Sequence, residues 1–496
     1  MKLNFIIDKT LPQKIYLQLY EAFKNIIENG DILPNEKLPS IRQIAIKYDI
    51  SHLTVLKAYE LLEKNNLIFK INGKGCYVKE NNYLSSKNQK PIINNFAIIN
   101  KSINFASATP STELYPVKEF QNIINEIFDN YGDKVFNYFD TQGLLELREI
   151  LVEKLKALNI TTNTSNIQIV SGSQQALDIL KKIMSKKKNT TIVIGSPSYY
   201  GAINTFSEVT KMISVPVLED GFDLIELEKI LQNNKIDFIY TMINFECPTG
   251  ISWSLEKKLK ILELANKYKF AIIEDDCMSD FYYFNNPSIP LKALDSNNNV
   301  IYINSFSKVI MPGLRIGYMV LPNKLTQEVI AAKFSSDISS SGLMQMAIYL
   351  FLKRGYLNLH IEKLRDIFKK RYEFSLSLLK NIKGLELPFL PKGGFYFWIK
   401  LPSEINSNIL YNLLKEKKVS ILPSSVFFLA EEQNNNFIRL SFTSVTLEEI
   451  KDGLQILKDT ISDLLEKKRF SINIIKIRRV VIITLLTYNY FSSLFP

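Results

Sequence analysis

Apolar residues recur at helical spacing near the start of the chain, at Ile15, Leu19, Ala22, Phe23, Ile26 and Ile27. That period predicts a helix over 15–27, ended by Gly30 and followed by a connector opening at Pro34. Ser40 stands as the cap of a second short helix, Ile41 to Tyr48, with Ile41, Ile44 and Ala45 turned inward. After Asp49-Ile50, Ser51 caps a third helix reaching about Glu63, whose buried stripe is Val55, Ala58, Tyr59 and Leu62. Two short runs, Leu67–Phe69 and Cys76–Val78, flank Asn72-Gly73-Lys74-Gly75 and predict a hairpin. Three helices and a two-stranded wing make a winged helix-turn-helix. Its third helix would enter a major groove by its N-terminal end, so Ser51, His52, Leu53, Thr54 and Lys57 would meet bases and phosphates. Lys74, at the wing tip, would reach a phosphate or the minor groove. The plainer alternative is a small helical module for protein contacts.

From 80 to 101 the chain is rich in Asn and Lys with poor periodicity, which predicts a linker. Beyond it, buried-strand runs alternate with amphipathic helices. Ile167–Val170, Thr191–Ile194, Asp237–Thr241, Ala271–Ile273 and Val300–Ile303 read as strands, and Ser173–Met184 and Leu255–Tyr268 as helices. That alternation predicts an α/β body with a mostly parallel sheet, whose ligands gather in the loops after the strands.

Those loops carry chemistry. Ser305-Phe306-Ser307-Lys308 through Pro312-Gly313-Leu314-Arg315 holds two hydroxyls, a lysine and an arginine after a strand. Ser305, Ser307 and Arg315 can hold a phosphate, while the Lys308 amine can condense with an aldehyde, as pyridoxal phosphate requires. Ser171-Gly172-Ser173-Gln174 opens a helix with small residues that free backbone amides for a phosphate. Tyr199 can stack on a heteroaromatic ring, and one carboxylate of Glu274-Asp275-Asp276 can pair with a protonated ring nitrogen. Taken singly, each has an ordinary explanation: a capped helix, a buried loop tyrosine, a solvated acidic turn, a basic loop.

Composition narrows the classes. The 496 residues are 46% hydrophobic and 22% charged, an ordinary globular balance. Cys76, Cys247 and Cys277 lie far apart and fit no zinc or redox spacing, and two histidines, His52 and His360, leave little for a His-based triad or metal site. No metal is expected, and a reducing cytoplasm is the expected compartment. The net charge of +11 includes six basic residues and no acid from Lys467 to Pro496, so the rest of the chain carries about +5 (11 − 6). Charge alone therefore argues weakly for DNA; the helix-turn-helix pattern carries that expectation. The apolar run Val480 to Phe495 falls short of the roughly 20 residues that span a bilayer, and no stable membrane partner is expected.

Two resemblances join these readings. Glu36-Lys37-Leu38-Pro39-Ser40-Ile41-Arg42-Gln43 followed by Ser51-His52-Leu53-Thr54-Val55 resembles the GntR-type winged helix. This implies DNA contacts from Arg42, Thr54 and the wing; His52 stands where the family usually has Arg. The order of phosphate loop, aromatic loop, acidic strand end and lysine loop resembles the fold-type I aminotransferases over Ser102 to Leu465. That resemblance implies Lys308 as the cofactor-bearing lysine, Asp275 as ring-nitrogen partner and Tyr199 as stacking aromatic. It implies Ser173, Gln174, Ser305, Ser307 and Arg315 as phosphate cup, and Arg439 as the clamp on a substrate carboxylate. It also implies that Tyr138, in Tyr138-Phe139-Asp140-Thr141-Gln142-Gly143, reaches a neighbouring subunit's cofactor. Cys247 replaces the Asn usual before Pro-Thr-Gly, and Asp275-Asp276-Cys277-Met278 lacks the family's Tyr, so efficient transamination is not implied.

Head plus body resembles the MocR/GabR-type transcriptional regulators. The expected organisation is a winged helix-turn-helix at 1–79, a linker at 80–101, and a fold-type I aminotransferase-like domain at 102–465 with a smaller C-terminal α/β subdomain. A basic, apolar tail follows at 466–496. The resemblance implies a homodimer arranged head-to-tail on a double-stranded operator, with pyridoxal 5′-phosphate bound. It senses an amino acid, amine or vitamin B6 through aldimine exchange at Lys308. The alternative is a working aminotransferase with an appended DNA-binding head.

Overall fold

The computed structural model describes residue 7 and residues 14–28, 36–65, 67–71, 75–79, 102–284, 289–430, 432 and 434–466. Gly30, Pro34, the wing tip with Lys74, the expected linker and the basic tail lie outside them. The chain divides into two units between Asn95 and Phe96.

The first unit has helices Ile15–Glu28, Ile41–Tyr48 and His52–Lys64, then strands β1 (Ile68–Ile71) and β2 (Gly75–Val78) paired antiparallel. The second and third helices begin for local reasons. The Ser40 side chain accepts from Gln43 N while the Ser40 amide donates to Gln43 Oε1 at 2.8 Å, a reciprocal cap. Asp49, left-handed at φ 50°, turns the chain, and Ser51 accepts from Thr54 N at 3.1 Å to start the third helix. Leu19, Phe23, Ile44, Val55, Ala58, Leu62 and Val78 close a core of their own, with Tyr59 donating to the Pro39 carbonyl at 2.7 Å.

In the second unit, β3 (Ile103–Asn104) leads into a large sheet. Its strands are β4 (Ile167–Val170), β5 (Thr191–Ser196), β6 (Lys211–Leu218), β7 (Gly221–Phe222), β8 (Phe238–Thr241), β9 (Ala271–Asp275), β10 (Val300–Ser305) and β11 (Gly317–Val320). The order is β4-β11-β10-β9-β8-β5-β6-β7. The five central strands β10, β9, β8, β5 and β6 are parallel, as the alternating pattern predicts. The edges are not. β11 runs antiparallel to both β10 and β4, and β6 to β7, so the sheet is mixed. β11 escapes the sequence pattern because it begins two residues after Arg315, directly out of the lysine loop. Reversing twice, through β11, leaves β4 pointing the same way as β10. The ends of β4, β5, β8, β9 and β10 therefore open on one edge.

A smaller subdomain follows, built on β12 (Tyr396–Lys400), β14 (Leu422–Pro423) and β15 (Phe437–Ser441) in the order β12-β15-β14, all antiparallel. β13 (Val419–Ser420) pairs in parallel with β3, so the start of the body is stitched to its C-terminal part. Among the described residues no helix is long and apolar enough to cross a membrane.

Candidate functional site

Lys308 sits one turn past the end of β10, and its Nζ donates to the Ala108 carbonyl at 2.7 Å. Burial pushes its amine below the usual lysine range, and the charge of Arg439 pushes the same way. Three other lysines are buried, but they are engaged elsewhere. Lys292 and Lys333 are paired with Asp295 and Asp337, and Lys258 donates to the Ile289 carbonyl at 2.8 Å. Lys308 forms no ion pair among the described residues, so its amine keeps the lone-pair chemistry that a carboxylate partner would suppress.

Asp275, the last residue of β9, is buried and not part of a solvated acidic turn; Glu274 and Asp276 are buried with it. Its Oδ2 accepts from Tyr240 Oη at 3.1 Å and its Oδ1 from Cys277 Sγ at 2.8 Å. Burial pushes the carboxyl up, against those two bonds and the nearby charge of Lys308. A buried carboxylate is the acceptor that a cationic ring nitrogen needs, and the Lys308 charge lies near it. Tyr240 did not figure in the sequence reading of this acid, and Cys277 figured only as a departure from the family pattern. A tyrosine in the middle of a fully buried strand must find a partner for its hydroxyl, and that was the available signal.

The phosphate candidates converge on one corner. Ser305 Oγ donates to Ser307 Oγ at 3.1 Å, and Arg315 donates to Ser307 Oγ at 3.4 Å and to the Ser171 carbonyl at 2.8 Å. The helix Ser173–Ser185 begins there after Gly172, with no side-chain cap on its amides. Gly172 is required: its φ is +84°, and a Cβ would lie 2.7 Å from Arg315 Nη2. Gln174 is exposed and its amide donates to Thr205 Oγ1 at 2.7 Å, so its side chain faces the neighbouring helix. Tyr199 is partly buried, folded over Gly201, near enough to Asp275, Cys247 and Cys277 that their charges, after burial, raise its phenol. Tyr138 is not brought to this site within its own chain; it is 81% exposed.

Arg439, on β15, is 2% exposed and has no carboxylate partner among the described residues. Its Nη2 donates to the Ala106 carbonyl and its Nη1 lies 3.5 Å from Cys247 Sγ, while Nε has no hydrogen-bond partner. The guanidinium lies 5.0 Å from the Tyr396 ring and 5.5 Å from that of Phe427. Burial and the lack of an ion pair among the described residues exclude a surface salt bridge as the reason for an arginine in this strand. A planar cation with an unused N–H beside a lysine amine can take a carboxylate of the same small molecule.

Glu246, beside Cys247, is buried and accepts one bond, from Thr249 Oγ1 at 3.1 Å. Burial pushes its acid up to about 8. The folded state therefore holds a proton that the unfolded chain releases above pH 4.5, and stability falls as pH rises from there towards about 8. Glu246→Gln keeps the Thr249 bond without the ionisation. We expect the variant to gain on the wild type by a few kcal/mol between about pH 5 and pH 9, read as a flatter melting-temperature profile. Parallel profiles would refute it.

In the first unit, His52 and Lys57 are exposed and Leu53 is 69% exposed, at the start of the third helix. Ser51 and Thr54 share a hydroxyl bond of 2.8 Å, which makes Ser51 a cap first. Arg42 is exposed on the second helix. A groove of about 650 Å³ between the first and third helices is lined by Thr54, Lys57, Lys14 and Lys64, with Glu60 as the one acid among them. Lys14 and Lys64, missed by reading the third helix alone, leave the lining net positive.

Comparison with known proteins agrees with both halves. Residues 100–457 match the family of class I and II aminotransferases, and residues 15–78 match the gntR family of bacterial regulatory proteins. The chain is 30% identical over 453 residues to the HTH-type transcriptional regulator YcxD of Bacillus subtilis, covering 89% of this chain and 98% of that one. It is 30% identical over 443 residues to the HTH-type transcriptional regulator NorG of Staphylococcus aureus, covering 84% and 98%. Among solved structures, a Pyrococcus horikoshii kynurenine aminotransferase in complex with PMP matches at 31% identity and a TM-score of 0.69, over 74% of this chain and 92% of that one. The α-aminoadipate aminotransferase LysN of Thermus thermophilus, complexed with N-(5′-phosphopyridoxyl)-L-leucine, matches at 28% identity and a TM-score of 0.72, over 77% and 97%. The cofactor of this fold is pyridoxal 5′-phosphate, and the buried Asp275, the uncapped helix behind Gly172 and a Lys308 amine held only by a backbone carbonyl fit it. With the two domains in one chain and regulators matching it along nearly their whole length, the chain belongs to the MocR-type transcriptional regulators, gntR-family heads on aminotransferase-like bodies.

Proposed function

We propose that the chain is a cytoplasmic, pyridoxal-phosphate-dependent regulator of transcription that senses an amino acid, an amine or vitamin B6 itself. The observation that carries the sensing is Arg439, a buried guanidinium with a free N–H near a lysine amine that has no carboxylate partner among the described residues. When bound, the cofactor supplies an aldehyde that exchanges one amine for another and a ring that draws electrons from it. The chain's own residues do the rest. The amides behind Gly172, with Ser173, Ser305, Ser307 and Arg315, hold the phosphate. Asp275, kept in place by Tyr240 and Cys277, faces the ring nitrogen. Tyr199 covers one face, Lys308 presents its amine, and Arg439 takes the incoming carboxylate. Gln174 positions the start of the phosphate helix through Thr205.

Cys247, a weak hydrogen-bond donor at the cofactor's edge, weighs against fast turnover and for binding without release. Dimerisation is supported by an exposed apolar surface on the helix Val117–Tyr131 and the turn after it, with Phe136 70% and Tyr138 81% exposed. In a head-to-tail pair Tyr138 would reach the partner's cofactor, and two heads would bind two half-sites of a double-stranded operator through Arg42, His52, Thr54, Lys57 and Lys74.

The test is a duplex selected from random DNA by the loaded protein, titrated with amines and amino acids. We expect one chemical class to change DNA affinity by about tenfold, in the usual range of ligand coupling. Sustained transfer of amino groups to a 2-oxo acid, with DNA affinity unmoved by every amine, would establish the aminotransferase instead.

A further inference from the structure

The segment 104–109 crosses the site between its two cationic groups, and all six of its backbone carbonyls are held. Ser444 Oγ donates to the carbonyls of Asn104 at 2.6 Å and Ser107 at 3.2 Å. Ser441 N donates to the Phe105 carbonyl at 2.8 Å, and Thr443 Oγ1 to that of Thr109 at 3.0 Å. These four bonds come from β15 and the turn after it. The other two come from the site itself: Arg439 Nη2 donates to the Ala106 carbonyl, and Lys308 Nζ to the Ala108 carbonyl at 2.7 Å. The Asn104 side chain holds the bend from inside, accepting from Ala106 N and Ser107 N, each at 3.1 Å. Phe105 is fully buried and anchors the near end, while Ser111, bonded to Thr443 and Arg371, anchors the far end.

We propose that residues 104–109 are a ligand-operated strap. The inference rests on the reading of Lys308 and Arg439 as the groups that take the cofactor and the effector carboxylate. A ligand holding both groups removes the partners of two alternate carbonyls in the middle of the strap, and partly buried carbonyls do not stay unpaired. The middle of the strap then loosens between its anchored ends.

The test is amide hydrogen exchange across residues 103–112 of the full-length protein, with pyridoxal phosphate and 4-methylpentanoate together as the probe. The aldehyde takes Lys308, and the acid, having no amine to displace that lysine, takes Arg439. A binding site normally slows exchange nearby; the strap predicts the reverse, an increase of about tenfold at Ala106 and Ser107. Pyridoxal phosphate alone, which takes only Lys308, should give a smaller increase. Ser444→Ala removes two stitches outside the ligand-binding groups, so exchange should be fast before the probe is added and change little afterwards. Asn104→Ala should behave alike and covers a folding failure of the first variant. Pyridoxal phosphate retained through gel filtration, with strap exchange unchanged or slowed in the presence of both ligands, would overturn the strap and leave the cofactor reading standing. Pyridoxal phosphate not retained at all would overturn both.

Discussion

Lys308→Ala should lose the cofactor on gel filtration, while the wild type carries its near-visible absorbance through. The loss of a covalent link should weaken retention on the order of 100-fold, equivalent to about 2.7 kcal/mol. Borohydride reduction of the loaded wild type should fix the cofactor's mass on the peptide containing Lys308 and on no other. That second readout matters because Lys258, Lys292 and Lys333 are also buried with depressed amines. An amine with a lowered proton affinity is a better nucleophile, so depression alone does not single out Lys308. Position does: Lys308 lies near the charges of Asp275 and Arg439, whereas Lys258 lies near Glu274 and Asp276, and Lys292 and Lys333 have carboxylate partners of their own. Mass found on one of the other three, or a band that survives in the variant, would refute the assignment. The variant also gives up the bond to Ala108, so its melting temperature should be compared before any loss is ascribed to the cofactor.

The head was the more legible half of the sequence. Its helices are short, the second and third have their own Ser caps, and the stripe Val55, Ala58, Tyr59 and Leu62 is buried as the 3.6-residue period requires. Local chemistry decided the structure there. In the body, parallel strands read as apolar runs, and five came out within a residue or two of their observed ends. What periodicity could not show was direction and neighbourhood. β11 is antiparallel because the chain turns back at Pro312-Gly313, and β6 and its hairpin partner β7 add an edge that no run of apolar residues announced. Contacts made across long sequence distances were illegible for the same reason. Lys308 meets Ala108 across 200 residues and Arg439 meets Ala106 across 333. Two alanines in an unremarkable stretch give no signal, because the bonding groups are backbone carbonyls that every residue has. Side-chain chemistry marks where ligands go; which backbone crosses the site is a property of topology.

Arg439→Met should separate binding from stability, and the two effects should have opposite signs. Effector binding, read as the spectral response of the loaded protein to amino acids, should weaken by about 2–5 kcal/mol, the usual loss on truncating one partner of a buried, hydrogen-bonded charge pair. Simple amines without a carboxylate should be nearly unaffected, which separates the clamp from general damage to the pocket. Folding stability should be unchanged or raised. The buried guanidinium has one carbonyl and one thiol as partners and an orphaned Nε. Hydrogen bonds to a charged group return about 1.5–3 kcal/mol each, and a thiol at 3.5 Å is a poor acceptor. Desolvating an uncompensated cation costs several kcal/mol, so the balance favours an apolar chain of similar length packed against Tyr396 and Phe427. A residue kept at a loss to the fold is kept for what it binds. If Arg439→Met instead lowered the melting temperature while the response to amino acids survived, the guanidinium would be holding the strap at Ala106 and not a ligand. Carboxylate recognition would then have to be sought elsewhere in the site.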